Sequence, residues 1–165
     1  MEFVGNYKSW IKQEWIDYLL MHDGIKRPGS GNNPDAPEFK QALDAGYDLT
    51  QTYWHHYTNI SCTFDVLLPI DIGPNLAHEL WFIKLMPGQF LPVHRDIISN
   101  GFNTRYWMAM QDYEPGHIFI CDKFLLTDYK AGDLWKYKDA SALHCACNIG
   151  YSPRLTFQFT TYDSN

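Results

Sequence analysis

The chain has 165 residues, 45% hydrophobic and 16% aromatic, with a formal net charge of −6, which predicts one globular domain over 1–165 and excludes a disordered chain. Lys and Arg total only 13 and the longest basic run is "IKRPG" at 25–29, so no phosphate-neutralising surface and no nucleic-acid partner are expected. No run approaches the ~18 apolar residues of a spanning helix, so no membrane partner is expected either.

The start, "MEFVGNYKSWIK", lacks the basic stretch and apolar core of a secretory signal. With Cys62, Cys121, Cys145 and Cys147 read as free thiols, the expectation is a cytoplasmic protein. Residues 1–60 read as a mainly helical segment that packs on the remainder of the chain. In "SWIKQEWIDYLLMHDG" (9–24), Trp10, Ile11, Trp15, Tyr18 and Leu19 recur at helical spacing, with Ser9 as a cap and Gly24 as a stop. A second helix is expected over "APEFKQALDAG" (36–46). The Gly-, Pro- and Asn-rich stretch 25–35 between them reads as a loop and a candidate lid. "WHHY" (54–57), at the change from helical to β character, reads as structural or as part of a rim.

From 61 to 165 the sequence breaks into short apolar runs punctuated by turns. The runs are "FDVLLP", "ELWFIKLM", "QFLPVH", "TRYWMAMQD", "GHIFICD", "DLWKY", "ALHCACN" and "RLTFQFTTY". That rhythm predicts a mainly β fold with N-terminal helices, its core a jelly roll or small barrel. The absence of strand–helix alternation argues against a parallel α/β sheet.

The chemistry starts at "PVHRDIISN" (92–100). It looks like the kinase pattern H-R-D-L-x-x-x-N, but Asn100 stands one position too early and no phosphate loop, V-A-I-K, D-F-G or A-P-E accompanies it. On a strand, positions i and i+2 share a face, so His94 and Asp96 project together while Arg95 points away. An imidazole and a carboxylate side by side, plus a histidine from a neighbouring strand, make the facial triad of non-haem Fe(II) oxygenases. His144 in "ALHCACN" fits the third place, with His117 as its rival. The separating feature is Arg154, ten residues after His144 across the turn "NIGYSP"; Thr127 stands at the same offset from His117. An arginine there suits bidentate pairing with a dicarboxylate.

The segments "PGQFLPVHRD" and "GDLWKYKDASALHCACNIGYSPRLTF" resemble the Fe(II)/2-oxoglutarate-dependent oxygenase superfamily. The pattern spans 94–154, and the likeness in strand rhythm extends over about 80–162. Within the superfamily, the Arg105 strand and the H…N…R ending look similar to aspartyl/asparaginyl β-hydroxylase-type and prolyl hydroxylase-type members. One departure is that many aspartyl hydroxylase relatives lack the triad carboxylate, whereas Asp96 is present here. The resemblance implies a double-stranded β-helix, a cupin-like jelly-roll barrel. It implies Fe(II) held by His94, Asp96 and His144, and 2-oxoglutarate chelating that iron with its far carboxylate on Arg154. It further implies O2 as co-substrate, succinate and CO2 as co-products, and hydroxylation of a small molecule or peptide side chain. The alternatives from the residues themselves are a metal-binding cupin of another reaction class and a non-catalytic barrel binding domain.

Arg105 could bind a carboxylate of substrate or cosubstrate, the role that the resemblance suggests. Parity groups it with Trp107 and Ala109, and Tyr106 with Met108 and Met110, but does not say which set faces inward. Lys84 raises the same question and reads as a surface residue. Asn148 reads as a residue that orients the turn before Arg154. Cys145 and Cys147 alternate with His144, so they face away from it.

Overall fold

The computed structural model describes residues 1–28, 40, 44–45, 53–57, 64–73, 76–95, 102–139 and 141–163. Its elements in chain order begin with β1 (Glu2–Asn6), a 3-10 turn (Lys8–Trp10), α1 (Gln13–Met21), β2 (Ile25–Pro28) and β3 (Tyr53–Tyr57). There follow β4 (Leu76–Leu85), β5 (Phe90–His94), β6 (Phe102–Ala109), β7 (His117–Cys121) and β8 (Phe124–Leu126). The chain ends with β9 (Asp133–Lys136), β10 (His144–Asn148) and β11 (Arg154–Asp163).

Two antiparallel sheets face each other. One has seven strands in the order β1-β9-β6-β11-β4-β3-β2, the other four in the order β5-β10-β7-β8. From β4 onward the chain alternates between them: β4, β6, β9 and β11 lie in the larger sheet, and β5, β7, β8 and β10 in the smaller. That crossing pattern is a double-stranded β-helix, as the strand rhythm predicts.

Among the described residues of 1–60, α1 is helical, as are Lys40 and Asp44 within the expected second helix, and β1, β2 and β3, which the sequence reading does not anticipate, extend the larger sheet at both edges. The helix begins at Gln13 rather than after Ser9, its first residue preceded by Lys12 with no side-chain cap. The stretch 25–28, expected as loop, is strand β2 paired with β3. "FDVLLP" is irregular rather than extended; Val66 is buried, and Phe64 and Leu68 pack beside it. The expected helix at 36–46 and the rest of the candidate lid fall largely outside the described residues.

The larger sheet is covered on both faces. Its outer face packs on α1 through a cluster that includes Trp15, Leu19, Phe82, Met108, Phe157 and Phe159. Its inner face meets the smaller sheet through Leu85, Trp107, Ala109, Phe119, Tyr129 and Tyr137. β11 separates the two, with Leu155, Phe157 and Phe159 in the outer cluster. Arg154, Thr156, Gln158 and Thr160 alternate with them and face inward, all buried.

Lys84 is not a surface residue. It is 2% exposed, on the outer face of β4. Its Nζ donates to the carbonyls of Leu19 at 2.8 Å and His22 at 2.7 Å. The Tyr57 hydroxyl donates to the same carbonyls, at 3.3 and 2.6 Å. These groups satisfy the carbonyls that the end of α1 leaves open, and the ammonium complements the helix dipole. His55, also buried, approaches Asp23 to 3.6 Å beside them. His55 and Tyr57 of "WHHY" are therefore structural: they anchor the end of α1 to the sheet.

Lys84→Met keeps the aliphatic stem and removes the ammonium. It is expected to lower stability by about 1–3 kcal/mol, read from the urea midpoint. Asp23→Asn, at an exposed site, is expected to cost less than about 1 kcal/mol. Equal losses in the two variants would mean that the carbonyl bonds contribute nothing beyond a surface ion pair.

Candidate active site

His94 ends β5 and His144 begins β10, and the register places them directly opposite each other. Their ring centroids are 4.3 Å apart. Each ring is held by the same local device. His94 Nδ1 lies 2.7 Å from the Pro92 carbonyl, and His144 Nδ1 lies 3.0 Å from the Ala142 carbonyl. A carbonyl oxygen only accepts, so the proton sits on Nδ1 and the lone pair on Nε2. That is the form in which imidazole ligates a metal, oriented by a backbone carbonyl. Burial, then the Arg105 charge, then His94 hold the His144 imidazole well below its ordinary value, which keeps it neutral.

Asp96 lies outside the described residues, and among those described no group of three His, Cys, Asp or Glu side chains gathers for a metal. The two histidines fit a facial-triad metal in tautomer and spacing, and His144 does so in neutrality as well. Arg95 is exposed and donates to the Ser141 carbonyl at 2.7 Å, tying the end of β5 to the segment before His144. His117, the rival ligand, stands opposite Asn148 in the β7–β10 register, whereas His144 stands opposite Cys121. That separation of four strand positions is roughly 13 Å, so His117 belongs to the other end of the barrel.

Arg154 opens β11 and turns inward. It is 2% exposed. Its guanidinium carbon lies 5.5 Å from the Trp107 ring centre and 5.7 Å from that of Phe119, one ring from each sheet. Those two rings stack 5.2 Å apart. Arg154 Nε and Nη2 have no hydrogen-bond partner among the described residues, and no carboxylate there pairs with it. A buried cation in this state is costly, and an incoming anion removes the cost.

The turn that delivers Arg154 is built around Asn148. Its Nδ2 donates to the carbonyls of Leu85 and Ser152, both at 2.8 Å, and its Oδ1 accepts from Gly150 N at 3.0 Å. This one side chain bridges the sheets and shapes the turn. Gly116, at φ +99°, lies beneath it. A Cβ there would come within 2.3 Å of Gly150 N, so only glycine permits the approach. His117 Nε2 lies 3.0 Å from the Ser152 carbonyl, and Ser152 Oγ also donates to Glu114.

Arg105 faces inward, which parity leaves open. It is buried with Trp107 and Ala109, while Met108 and Met110 lie in the outer cluster. Its guanidinium carbon sits 5.3 Å from the Tyr137 ring centre and 5.5 Å from that of Trp81. Nη2 donates to Gln158 Oε1 at 2.6 Å. Burial lowers its pKa, against the pull of Tyr137 and Cys121. Tyr137 also packs edge-on to His144, at 5.7 Å. Burial pushes its phenol up to about 12, against the pull of Arg105 and, more weakly, of Arg154. Cys145 and Cys147 are free thiols on the opposite face of β10 from His144, each half-buried. Cys62 lies outside the described residues.

Sequence reasoning misses Tyr129, Tyr137 and Gln158 as buried residues near the two arginines. Parity along β11, or a place just after β8 or β9, carries no signal until the barrel is closed.

Fold and site together define a cupin-like double-stranded β-helix with a histidine pair at one end and a buried arginine towards the other. No family model matches the sequence, and no curated protein matches it. Among solved structures the chain is similar to a cupin 2 conserved barrel domain protein from Salinispora arenicola: 16% identity, 58% of this chain and 71% of that one, TM-score 0.39. It is also similar to a predicted oxalate decarboxylase from Thermotoga maritima: 15% identity, 68% and 82% covered, TM-score 0.41. An RmlC-like cupin from Shewanella frigidimarina gives 13% identity, 58% and 83% covered, TM-score 0.38. These neighbours are cupin proteins, too distant to carry any chemistry across. No described helix is long and apolar enough to cross a membrane.

His117 gives a pH test of the Arg154 end. Burial, and behind it the Arg154 charge, lower its pKa, against the Ser152 carbonyl and Glu114. The unfolded chain therefore takes up the proton first as the pH falls below about 6.5. The associated stability is present above that pH and is lost as the pH falls towards the folded pKa. His144 shifts in the same direction. Metal-free protein is expected to unfold at lower urea at about pH 5.5 than at about pH 7.5. His117→Gln should shrink that difference without abolishing it. An unchanged difference would show that His117 does not titrate on unfolding.

Proposed function

We propose that this chain is an Fe(II)- and 2-oxoglutarate-dependent dioxygenase that hydroxylates a C–H bond of a small molecule or a peptide side chain. The observation that carries the reading is the Arg154 guanidinium, buried inside the barrel with two donors unmet among the described residues and delivered by the hairpin that follows His144. A metal-binding barrel with no dicarboxylate to hold has no use for a buried, unpaired cation at that place.

In this reading His94 and His144 hold iron through Nε2, and Asp96 supplies the carboxylate. The iron would supply activation of O2 and the oxidative decarboxylation of 2-oxoglutarate to succinate and CO2, coupled to substrate hydroxylation. The chain's own residues bind and orient. Arg154 takes the far carboxylate in a charge-assisted pair. Trp107 and Phe119 flank its guanidinium and exclude water from it, so the pair forms at low dielectric and gains strength. Arg105, beside Tyr137 and towards the histidines, is placed to meet a polar or anionic group of the substrate or of the cosubstrate. The carbonyls of Pro92 and Ala142 keep both imidazoles in the ligating tautomer.

The test is anaerobic addition of Fe(II) and then 2-oxoglutarate to metal-free protein, followed by visible absorption. A charge-transfer band that needs both additions is expected. Arg154→Ala should raise the 2-oxoglutarate concentration for half-formation about 100-fold, and His144→Ala should abolish iron binding. Iron binding without a band would point to a cupin of another reaction class. No iron binding at all would favour a non-catalytic binding barrel.

A further inference from the structure

β10 carries chemistry on both faces. His144 turns into the barrel, while Cys145 and Cys147 stand on the outer face, both free thiols and both half-buried. Around them the outer face of the smaller sheet is apolar. Cys145 is the register partner of Ile120, and Cys147 is that of Ile118 on one side and Phe90 on the other. The β5 register slips beside Cys145, so Pro92 and Val93 together stand opposite it, and Val93 is left exposed. None of these neighbours carries a charged, amide or hydroxyl side chain.

Positions i and i+2 of a strand lie about 6.6 Å apart and point the same way. That is near the upper limit of the Cα separation a disulfide tolerates, and a disulfide needs its Cβ atoms closer still, at roughly 3.8 Å. β10 is hydrogen-bonded to β5 on one side and β7 on the other, so the strand resists the pucker that would close the gap. The pair therefore stays a dithiol, held extended, with room for one atom between the sulfurs. The donors select that atom. Hard cations need oxygen ligands, which these neighbours lack. Structural zinc takes four ligands, and among the described residues no group of three metal-ligating side chains forms. Soft thiolates select Cu(I), and a monovalent d10 ion is satisfied by two of them.

We infer that Cys145 and Cys147 form a two-coordinate site for a soft monovalent metal ion, Cu(I), on the outside of the barrel. Binding is a proton exchange: both S–H protons leave to solvent, two S–Cu bonds form, and copper enters and stays as Cu(I). The site lies back to back with the histidine pair on the same strand but shares no ligand with it, so it stands independently of the dioxygenase reading. The apolar surround disfavours hydrated hard cations, and the half-exposed sulfurs remain open to a chelator handing over the metal.

The experiment titrates the full, reduced chain anaerobically with Cu(I) against bathocuproine disulfonate, whose coloured complex reports the copper that the protein leaves behind. Wild type should withdraw a single equivalent, with a sulfur-to-copper charge-transfer absorption in the ultraviolet. Cys145→Ser and Cys147→Ser should each weaken binding by more than about 100-fold. Cys62→Ala, Cys121→Ala and His144→Ala should leave it unchanged, and sedimentation should give the same mass with and without copper. Binding that survives the loss of either outer thiol, or no withdrawal of copper by wild type, would overturn the site. Binding lost in His144→Ala would assign the copper to the histidine pair and overturn it too. A copper-dependent dimer would do the same, since the ligands would then come from two chains. The band formed with Fe(II) and 2-oxoglutarate should be the same in Cys145→Ser as in wild type, so failure of the copper site leaves the dioxygenase reading standing.

Discussion

β11 is the strand on which both halves of the molecule depend. It pairs with β4 along its whole length and with β6 on the other side. Because its side chains alternate, it serves two chemistries at once. Leu155, Phe157 and Phe159 supply the outer apolar layer against which α1 packs. Arg154, Thr156, Gln158 and Thr160 face the barrel. A slip of one residue in this register would put the arginine under the helix and the phenylalanines in the cavity. The long pairing on both edges is what prevents it.

The two faces also divide the energetics. The outer layer is a conventional core of rings: Trp10, Trp15, Phe82 and Phe157 pack at centroid distances of 4.7–6.0 Å. The inner face is not a minimum-energy solution. Arg154, Tyr137, Thr156, Thr160 and the Trp107 indole all leave buried polar atoms without partners among the described residues. Such groups destabilise a fold unless something binds there. Most of them lie on the barrel side, where the proposed function places a ligand. The rigid parts around it, Asn148 across the sheets and Gly116 under the turn, hold the donors in place before any ligand arrives.

Much of this is legible in the sequence, for identifiable reasons. The strands from β4 onward are separated by Gly, Pro and Asn turns, so their rhythm survives in one dimension. His144 and Arg154 flank a single short turn, so their relation is local. The face of Arg105 is not legible because both faces of β6 are buried, which erases the polar–apolar alternation that normally marks the inside. Lys84 reads as surface because its partners, the carbonyls at the end of α1, are more than 60 residues away and exist only after packing. "FDVLLP" has the composition of a strand but fills an irregular layer over the outer face instead. "WHHY" and "EFVGN" are short, and the first spends its buried histidine on anchoring a helix, so neither shows a strand pattern. Tyr129 lies outside any regular element, where parity says nothing.

The proposed barrel interior is a chamber with a metal at the histidine pair and a dicarboxylate running from it to Arg154. The most direct measurement is a crystal structure of the protein with Mn(II), a redox-silent substitute for Fe(II), and 2-oxoglutarate. The metal is expected on Nε2 of His94 and His144, with the far carboxylate against the Arg154 guanidinium between the two sheets. A metal held elsewhere, or a dicarboxylate bound outside the barrel with Arg154 still unpaired, would contradict the proposed chamber.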